Sequence, residues 1–437
     1  MMKPINIIKE QWHGYNSLQR SAKLYVGITI IWGIFFAGWM LFFNFYILAR
    51  GFDRQFLGLA NSMVPAAILI CGIPLGVLSD RIGRKQALIL GNILAVTGSS
   101  IVLVSSIGVV ILAALFLLGI GEALVIVSEA PLIYRLSEPE NRNTLFSLNY
   151  GMATLSGVIG SVVSGQLPFL GEKLLGVIPG TVSSYQGVLG VMVLFYLTAF
   201  IPLFSIKVPE SAIENGGAVK FGIWKKNNGN GSIKEKLQNI LQKQITWKLI
   251  TPNLIIGLGA ALVIPYMNLF FAEKYGTTDQ SLGVLFAVSS LITGLSTLLS
   301  PHLAERTGSR IRAVALAQGS SLIFLIMLGF SPWFGVAAVG FLARAALMNM
   351  GMPLYDSFAM DQVAEDEQGT LNSLLMMSFE LGYAIGPILS GVIQLRYGFT
   401  PLFIATLILY SLAVVCVRSF FKGDKDTVVN KQIKLAA

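Results

Sequence analysis

Beyond Lys23 the chain is a succession of apolar runs, each about twenty residues long, separated by polar connections. About twenty residues is the length of helix that crosses ~30 Å of hydrocarbon. Lipid offers the backbone no hydrogen bonds, so only helices and closed barrels can cross it. Barrel strands need alternating segments of about ten residues, and none occur. Composition agrees: 54% of the 437 residues are hydrophobic and 12% are charged, with a mean hydropathy of +0.71. A soluble domain carries about 25% charged residues. The expected fold is therefore an all-α polytopic membrane protein.

Twelve spans are expected, over 24–48, 56–79, 86–106, 108–134, 144–167, 186–206, 248–272, 279–303, 311–330, 333–357, 370–394 and 399–419. They fall into two related halves. Gln55-Phe56-Leu57-Gly58, followed by an apolar run to Leu78-Ser79-Asp80-Arg81-Ile82-Gly83-Arg84-Lys85, returns 225 residues later. The second copy is Gln280-Ser281-Leu282-Gly283 through Leu303-Ala304-Glu305-Arg306-Thr307-Gly308-Ser309-Arg310, aligned without a gap. The organisation expected is an N-tail (1–23), a six-helix half (24–207), a linker (208–247), a second, pseudo-symmetric six-helix half (248–419) and a C-tail (420–437).

Positive charge sets the orientation. Of the 31 Lys and Arg, all but Arg50, Arg54, Lys173, Lys274, Arg396 and the mid-span Arg344 fall in the two tails and alternate connections. Both termini are therefore expected on the cytoplasmic side of the cell membrane. The net charge of +9 is accounted for by topology and implies no nucleic-acid partner. The polar N-terminus lacks a cleavable signal pattern. In the linker, Ser232 and Glu235 form a capping box, followed by Leu237, Ile240, Leu241 and Ile245 at helical spacing. This reads as a short amphipathic helix, either at the membrane surface or solvated. Cys71 and Cys416 lie within spans and the two histidines, His13 and His302, lie in different halves, so no metal site is expected. No nucleotide fingerprint or hydrolase elbow occurs; neither an enzyme nor a cofactor is expected.

Gly76-Val77-Leu78-Ser79-Asp80-Arg81-Ile82-Gly83-Arg84-Lys85, between spans 2 and 3, resembles the signature of the major facilitator superfamily: Gly, three residues, Asp-Arg, any residue, Gly-Arg and a basic residue. In the echo, Pro301 replaces the Gly, and Ser309 stands where the second Arg would be. The likeness extends along the chain. Asn44 matches Asn268, Pro131-Leu132 matches Pro353-Leu354, and Thr144-Leu145-Phe146-Ser147-Leu148 matches Thr370-Leu371-Asn372-Ser373-Leu374. Glu138-Pro139-Glu140-Asn141-Arg142 looks like the acidic-Arg turn of that family. Its counterpart Glu365-Asp366-Glu367-Gln368 lacks the Arg and is expected to face basic cytoplasmic loops. The resemblance implies a cytoplasmic gate made of Gly76, Asp80, Arg81, Gly83, Arg84, Lys85 and Arg142, echoed by Glu305, Arg306, Gly308 and Arg310. In it Asp80 would meet the positive dipole end of span 11.

Such transporters bind substrate near the midplane, where a charged side chain costs about 2.5–3.5 kcal/mol on insertion scales. The candidates for substrate or coupling roles are Glu122, Glu129, Arg344 and Glu380, with the amides Asn44 and Asn268. In the Pro131/Pro353 register Glu122 and Arg344 occupy equivalent positions, so they could face each other across a central cavity or form a structural ion pair. Glu129 reads as an ion-pair member more than a proton carrier. Glu380, with no partner in its own helix, could carry a proton. The asparagines serve equally well in helix packing. Leu115 stands near the Arg that drug–proton antiporters usually carry in span 4. Span 5 reads Gly160-Ser161-Val162-Val163-Ser164-Gly165 without their Gly-Pro, which appears instead at Gly386-Pro387 in span 11. Pro209-Glu210-Ser211 is too short a match to establish a sugar porter.

The expected function is secondary transport of a small organic solute by alternating access, as a monomer in the lipid bilayer, with proton-coupled export preferred. Uptake of a sugar or organic anion is the alternative, with Arg344 as the binding charge. A transport-inactive sensor or assembly partner is the alternative of another class.

Overall fold

The computed structural model describes residue 15 and residues 18–138, 141–208, 233–364 and 367–422. Among the described residues are twelve helices long and apolar enough to cross a membrane. They are α1 (Arg20–Ala49), α2 (Arg54–Ile82), α3 (Arg84–Val104), α4 (Gly108–Leu136), α5 (Arg142–Leu175) and α6 (Val182–Leu197, continued as Phe200–Ser205). A linker helix (Ile233–Gln242) precedes α7 (Gln244–Tyr275), α8 (Asp279–Leu298), α9 (Arg310–Phe330), α10 (Phe334–Asp361), α11 (Gln368–Tyr397) and α12 (Thr400–Phe420). The all-α, twelve-span architecture expected from the sequence is what the described residues adopt.

Within lipid, helices associate through small residues that let backbones approach. A Cβ on Gly91 (α3) would lie 2.8 Å from the Gly121 carbonyl of α4, and one on Gly160 (α5) 2.6 Å from the Ile34 carbonyl of α1. The second half repeats both crossings. Gly340 (α10) sits on the Phe324 carbonyl of α9 at 2.7 Å, and Gly382 (α11) on Gly257 of α7 at 2.5 Å.

The chain divides into two compact units that do not follow the halves of the sequence. The first comprises Met1–Phe52, Ala66–Val219 and Thr278–Ala287; the second comprises Asp53–Pro65, Lys220–Thr277 and Val288–Ala437. The boundaries at 207 and 248 thus leave out an exchange of helix ends, and glycines explain it. In the second unit the first turns of α2 lie against α11, where a Cβ on Gly391 would be 2.3 Å from the Arg54 carbonyl and 3.1 Å from Gly58 Cα. Arg54 also pairs with Glu273 and donates to Gln394 Oε1 at 2.7 Å. In the first unit the first turns of α8 lie against α5, with a Gly165 Cβ 2.8 Å from Gly283 Cα. There Gln280 Nε2 donates to Gln166 Oε1 at 3.0 Å.

α7 is discontinuous. A 3-10 turn at Ile264–Tyr266 separates Gln244–Val263 from Met267–Tyr275, at the proline that removes a backbone donor. The linker helix differs from both expectations for it. Ile240 is fully buried in a cluster with Leu249, Ile311 and Phe358, and Leu241 and Ile245 pack on the same cluster. Its apolar stripe therefore meets protein rather than lipid or water. Lys243 joins it to Glu367 at 2.6 Å. Ser232, Pro139, Glu140, Glu365, Asp366, His13 and both tail ends lie outside the described residues, as does the side chain of Glu235.

Candidate functional site

The signature turn is an anchored helix junction. Gly83 adopts φ +91°, a conformation that side chains disfavour, and so lets α3 start directly after α2. Arg84 is buried at the first position of α3. Its guanidinium pairs with Asp80 and donates to Ser79 Oγ at 2.9 Å and the Val127 carbonyl at 3.5 Å. Asp80, expected to serve the end of span 11, is thus engaged by Arg84 within its own unit. Lys85 Nζ donates to the Phe204 and Ile206 carbonyls at 2.9 and 2.6 Å, capping the last turn of α6. Arg142 lies 3.6 Å over the Tyr134 ring. Arg81 is exposed, and a Cβ on Gly76 would meet nothing within 4 Å.

The echo is less degenerate in space than in sequence. Gly308 has φ +66°, and α9 begins one residue later than a gapless alignment implies, so Arg310 rather than Ser309 takes the buried first position. Arg310 pairs with Asp361 at 2.7 Å and donates to Ser357 Oγ at 2.8 Å, both on α10. It stands to α10 as Arg84 stands to α4. Glu305 meets His302 at 3.6 Å, and Arg306 is exposed.

The midplane candidates separate between the units. In the second unit Arg344 lies ten residues into α10, about 15 Å from its start. Only 6% of it is exposed, and its Nε and Nη1 have no hydrogen-bond partner among the described residues. It lines a pocket of about 170 Å³ together with Gln318, Asn349, Phe379, Tyr383 and Tyr410. The phenols of Tyr383 and Tyr410 are within its electrostatic reach. Gln318 Oε1 and Tyr410 Oη are also buried without hydrogen-bond partners among the described residues. The discontinuity of α7 contributes Ile264 to the same wall. Such a pocket offers one delocalised cation, neutral polar groups and aromatic faces, with the carboxylate of Asp356, twelve residues along α10 from Arg344, also in its lining. Glu380 lies beside it on α11, half-buried and within reach of Tyr383.

In the first unit half-buried Glu122 lies near Tyr196. Glu129 accepts a hydrogen bond from Asn149 Nδ2 at 2.8 Å, and the Tyr25 hydroxyl stands close by without closing one. Among the described residues Glu129 is therefore met by an amide and a phenol, not by the cation an ion pair requires. Asn44 and Asn268 are both about 1% exposed; the Asn268 side chain accepts from the Leu269 backbone N–H at 2.9 Å. Gln318, Tyr410, Tyr25 and Asn149 were absent from the sequence candidates. A search for polar as well as charged residues at mid-span would have found Gln318.

The family model of the Major Facilitator Superfamily matches residues 28–256 and 249–434. The chain belongs to this superfamily. A major facilitator protein moves a solute across the membrane by alternating access, so this chain is an integral membrane transporter. It is 23% identical over 407 residues to the uncharacterized MFS-type transporter YxaM of Bacillus subtilis, covering 92% of this chain and 95% of that one. It is 26% identical over 356 residues to the multidrug resistance protein MdtG of Dickeya zeae, covering 79% and 78%. Among solved structures it resembles a bacterial homologue of the human lysosomal transporter Spinster, with TM-score 0.73 and 15% identity over 92% of this chain and 97% of that one. This structural likeness supports the transporter fold.

Proposed function

We propose that the transporter exports a small organic anion across the cell membrane, coupled to protons, as a monomer with both termini cytoplasmic. The observation that carries this reading is the buried guanidinium of Arg344, whose Nε and Nη1 lack partners among the described residues, in a pocket whose lining includes aromatic and methionine side chains. A charge at that depth costs several kcal/mol unless paired, and an anionic substrate supplies the missing pair. A guanidinium presents a planar fork of donors suited to carboxylate or phosphate. Phe379, Tyr383, Met348 and Met352 suit an apolar body attached to that anion. Export is supported by the likeness to MdtG, named for multidrug resistance. The concentration of positive charge in the connections expected to be cytoplasmic supports the orientation.

The test is thermal unfolding of the purified transporter with benzoate, tetraphenylphosphonium or glucose. A ligand at about 100 times its dissociation constant stabilises by about 2.7 kcal/mol. Stabilisation by benzoate that disappears in Arg344→Gln supports the reading. Stabilisation by the lipophilic cation that disappears in Glu122→Gln refutes it in favour of a cation substrate. Inside-out and right-side-out vesicles then distinguish export from uptake.

A further inference from the structure

The first unit contains a carboxylate on α4 held through neutral groups on two other helices, α5 and α1. Glu129 sits seven residues before the end of α4, about 10 Å into the span. Its Oε1 accepts from Asn149 Nδ2 of α5. The amide's orientation is fixed from its other side, because Asn149 Oδ1 accepts from Thr29 Oγ1 of α1. The same hydroxyl also points at the Tyr25 carbonyl one turn earlier, at 3.2 Å. Asn149 and Thr29 are buried, and fully buried Tyr25 places its hydroxyl beside the carboxyl without completing a hydrogen bond. Arg84 of α3 reaches the Val127 carbonyl, two residues before Glu129, but is committed to Asp80 and Ser79. On α4 itself Glu122 lies seven residues before Glu129 and Arg135 six after it.

We infer that Glu129 is the proton-binding site of the transport cycle, with Asn149 and Tyr25 as its positioning residues. This rests on the proton-coupled part of the proposed function and is independent of the anion at Arg344. The network supports the carboxyl in two forms. When Glu129 is ionised, Asn149 donates to Oε1 and the Tyr25 hydroxyl can donate to Oε2. When a proton from water adds to Oε2, one negative charge is lost, and the new O–H can donate to the phenolic oxygen of Tyr25. Asn149 keeps its bond in both forms, so the site is retained while the tie between α4 and α1 reverses its donor. An acid whose fixed partner is an amide can change charge without stranding a buried cation, which an ion-paired acid cannot do.

The test needs no substrate. Infrared difference spectra of the purified protein between acid and alkaline buffer should contain a carboxylic C=O band that is lost in Glu129→Gln. The band should be displaced in Asn149→Leu, because the amide donor is removed, and should be unchanged in Arg344→Gln. A pH step should also shift the conformer populations reported by fluorophores on the two units, and Glu129→Gln should abolish that shift. Survival of the band in Glu129→Gln, or a pH response that survives in that variant, overturns the assignment. Should Glu129→Gln fold poorly, displacement of the band in Asn149→Leu and Tyr25→Phe carries the test, and an unmoved band in both overturns it. Failure of benzoate to bind would refute the anion reading and leave these outcomes untouched.

Discussion

Replacing Arg344 by methionine should make the protein more stable while removing its binding of anions. Arg344 is 6% exposed, and two of its guanidinium nitrogens are buried without acceptors among the described residues. A buried polar group left unsatisfied costs about 1–3 kcal/mol, and more when charged. Insertion scales put the cost of arginine at mid-span at about 2.5–3.5 kcal/mol; this is the same desolvation measured another way, so the two are not added. Methionine has a similar reach, fills irregular space and carries no charge. Exchange of a buried charge for a well-packed apolar side chain is often neutral or stabilising by about 1–4 kcal/mol. A gain of about 2–3 kcal/mol is expected for Arg344→Met, which in a chain of 437 residues corresponds to a rise on the order of 2–3 °C in unfolding temperature. The assay is thermal unfolding in detergent, with and without benzoate. Wild type should be raised by benzoate, whereas the variant should start higher and show no response. Unfolding several degrees below wild type would refute the reasoning, because it would mean that the guanidinium holds helices together.

The other expectations concern the framework. Gly391→Val and Gly165→Val should each lower stability by about 1–3 kcal/mol, since even a Cβ there would lie within 2.3 and 2.8 Å of backbone atoms. Gly319→Ala should be neutral or stabilising by about 0.5–1 kcal/mol, its Cβ meeting nothing nearer than 3.8 Å; a loss of stability there would show that helix contacts do not set these costs. Asp80→Asn should lower stability by about 1–2 kcal/mol, because half-exposed Asp80 is the counter-charge of buried Arg84; unchanged unfolding and transport would remove the pair from the gate. Arg310→Met should reduce stability and transport as Arg84→Met does, while Ser309→Ala should do neither, read by unfolding temperature and vesicle transport.

Much of this fold was legible because its strongest signals are local. A run of about twenty apolar residues specifies a spanning helix whatever its neighbours, and the Asp80–Lys85 signature names the turn it builds. What escaped depends on three-dimensional neighbours. The membership of residues 53–65 in the second unit follows from Gly58 and Gly391 meeting, which periodicity does not encode. The role of Arg310 was hidden by one residue of register, because a gapless alignment assumes that both helices start alike. At the site, Arg344 and Glu129 were visible as charges in apolar spans. Whether each was paired was not, since that depends on where Asn149, Thr29, Gln318 and Tyr410 project from other helices.

The two halves have kept their mechanics and lost their chemical likeness. Each begins its third helix on a buried arginine fixed to the helix that follows, Arg84 by Val127 and Arg310 by Asp361. Each unit closes a pair of helix ends glycine on glycine, Gly58 on Gly391 and Gly165 on Gly283. At the matching midplane positions, by contrast, one half carries Glu122 and the other Arg344. An internal duplication constrains parts that must move alike, such as helix junctions and close crossings, on both units at once. Binding requires only one site, so the two copies of a midplane position are free to diverge into opposite charges. The buried cation in the second unit and the amide-held acid in the first are what that freedom permits. On this argument, Glu122→Arg combined with Arg344→Glu should retain the fold, because neither charge is part of the repeated framework, yet should not restore anion binding, because Gln318, Tyr383 and Tyr410 exist in one unit alone. Restored benzoate stabilisation in the double variant would contradict it.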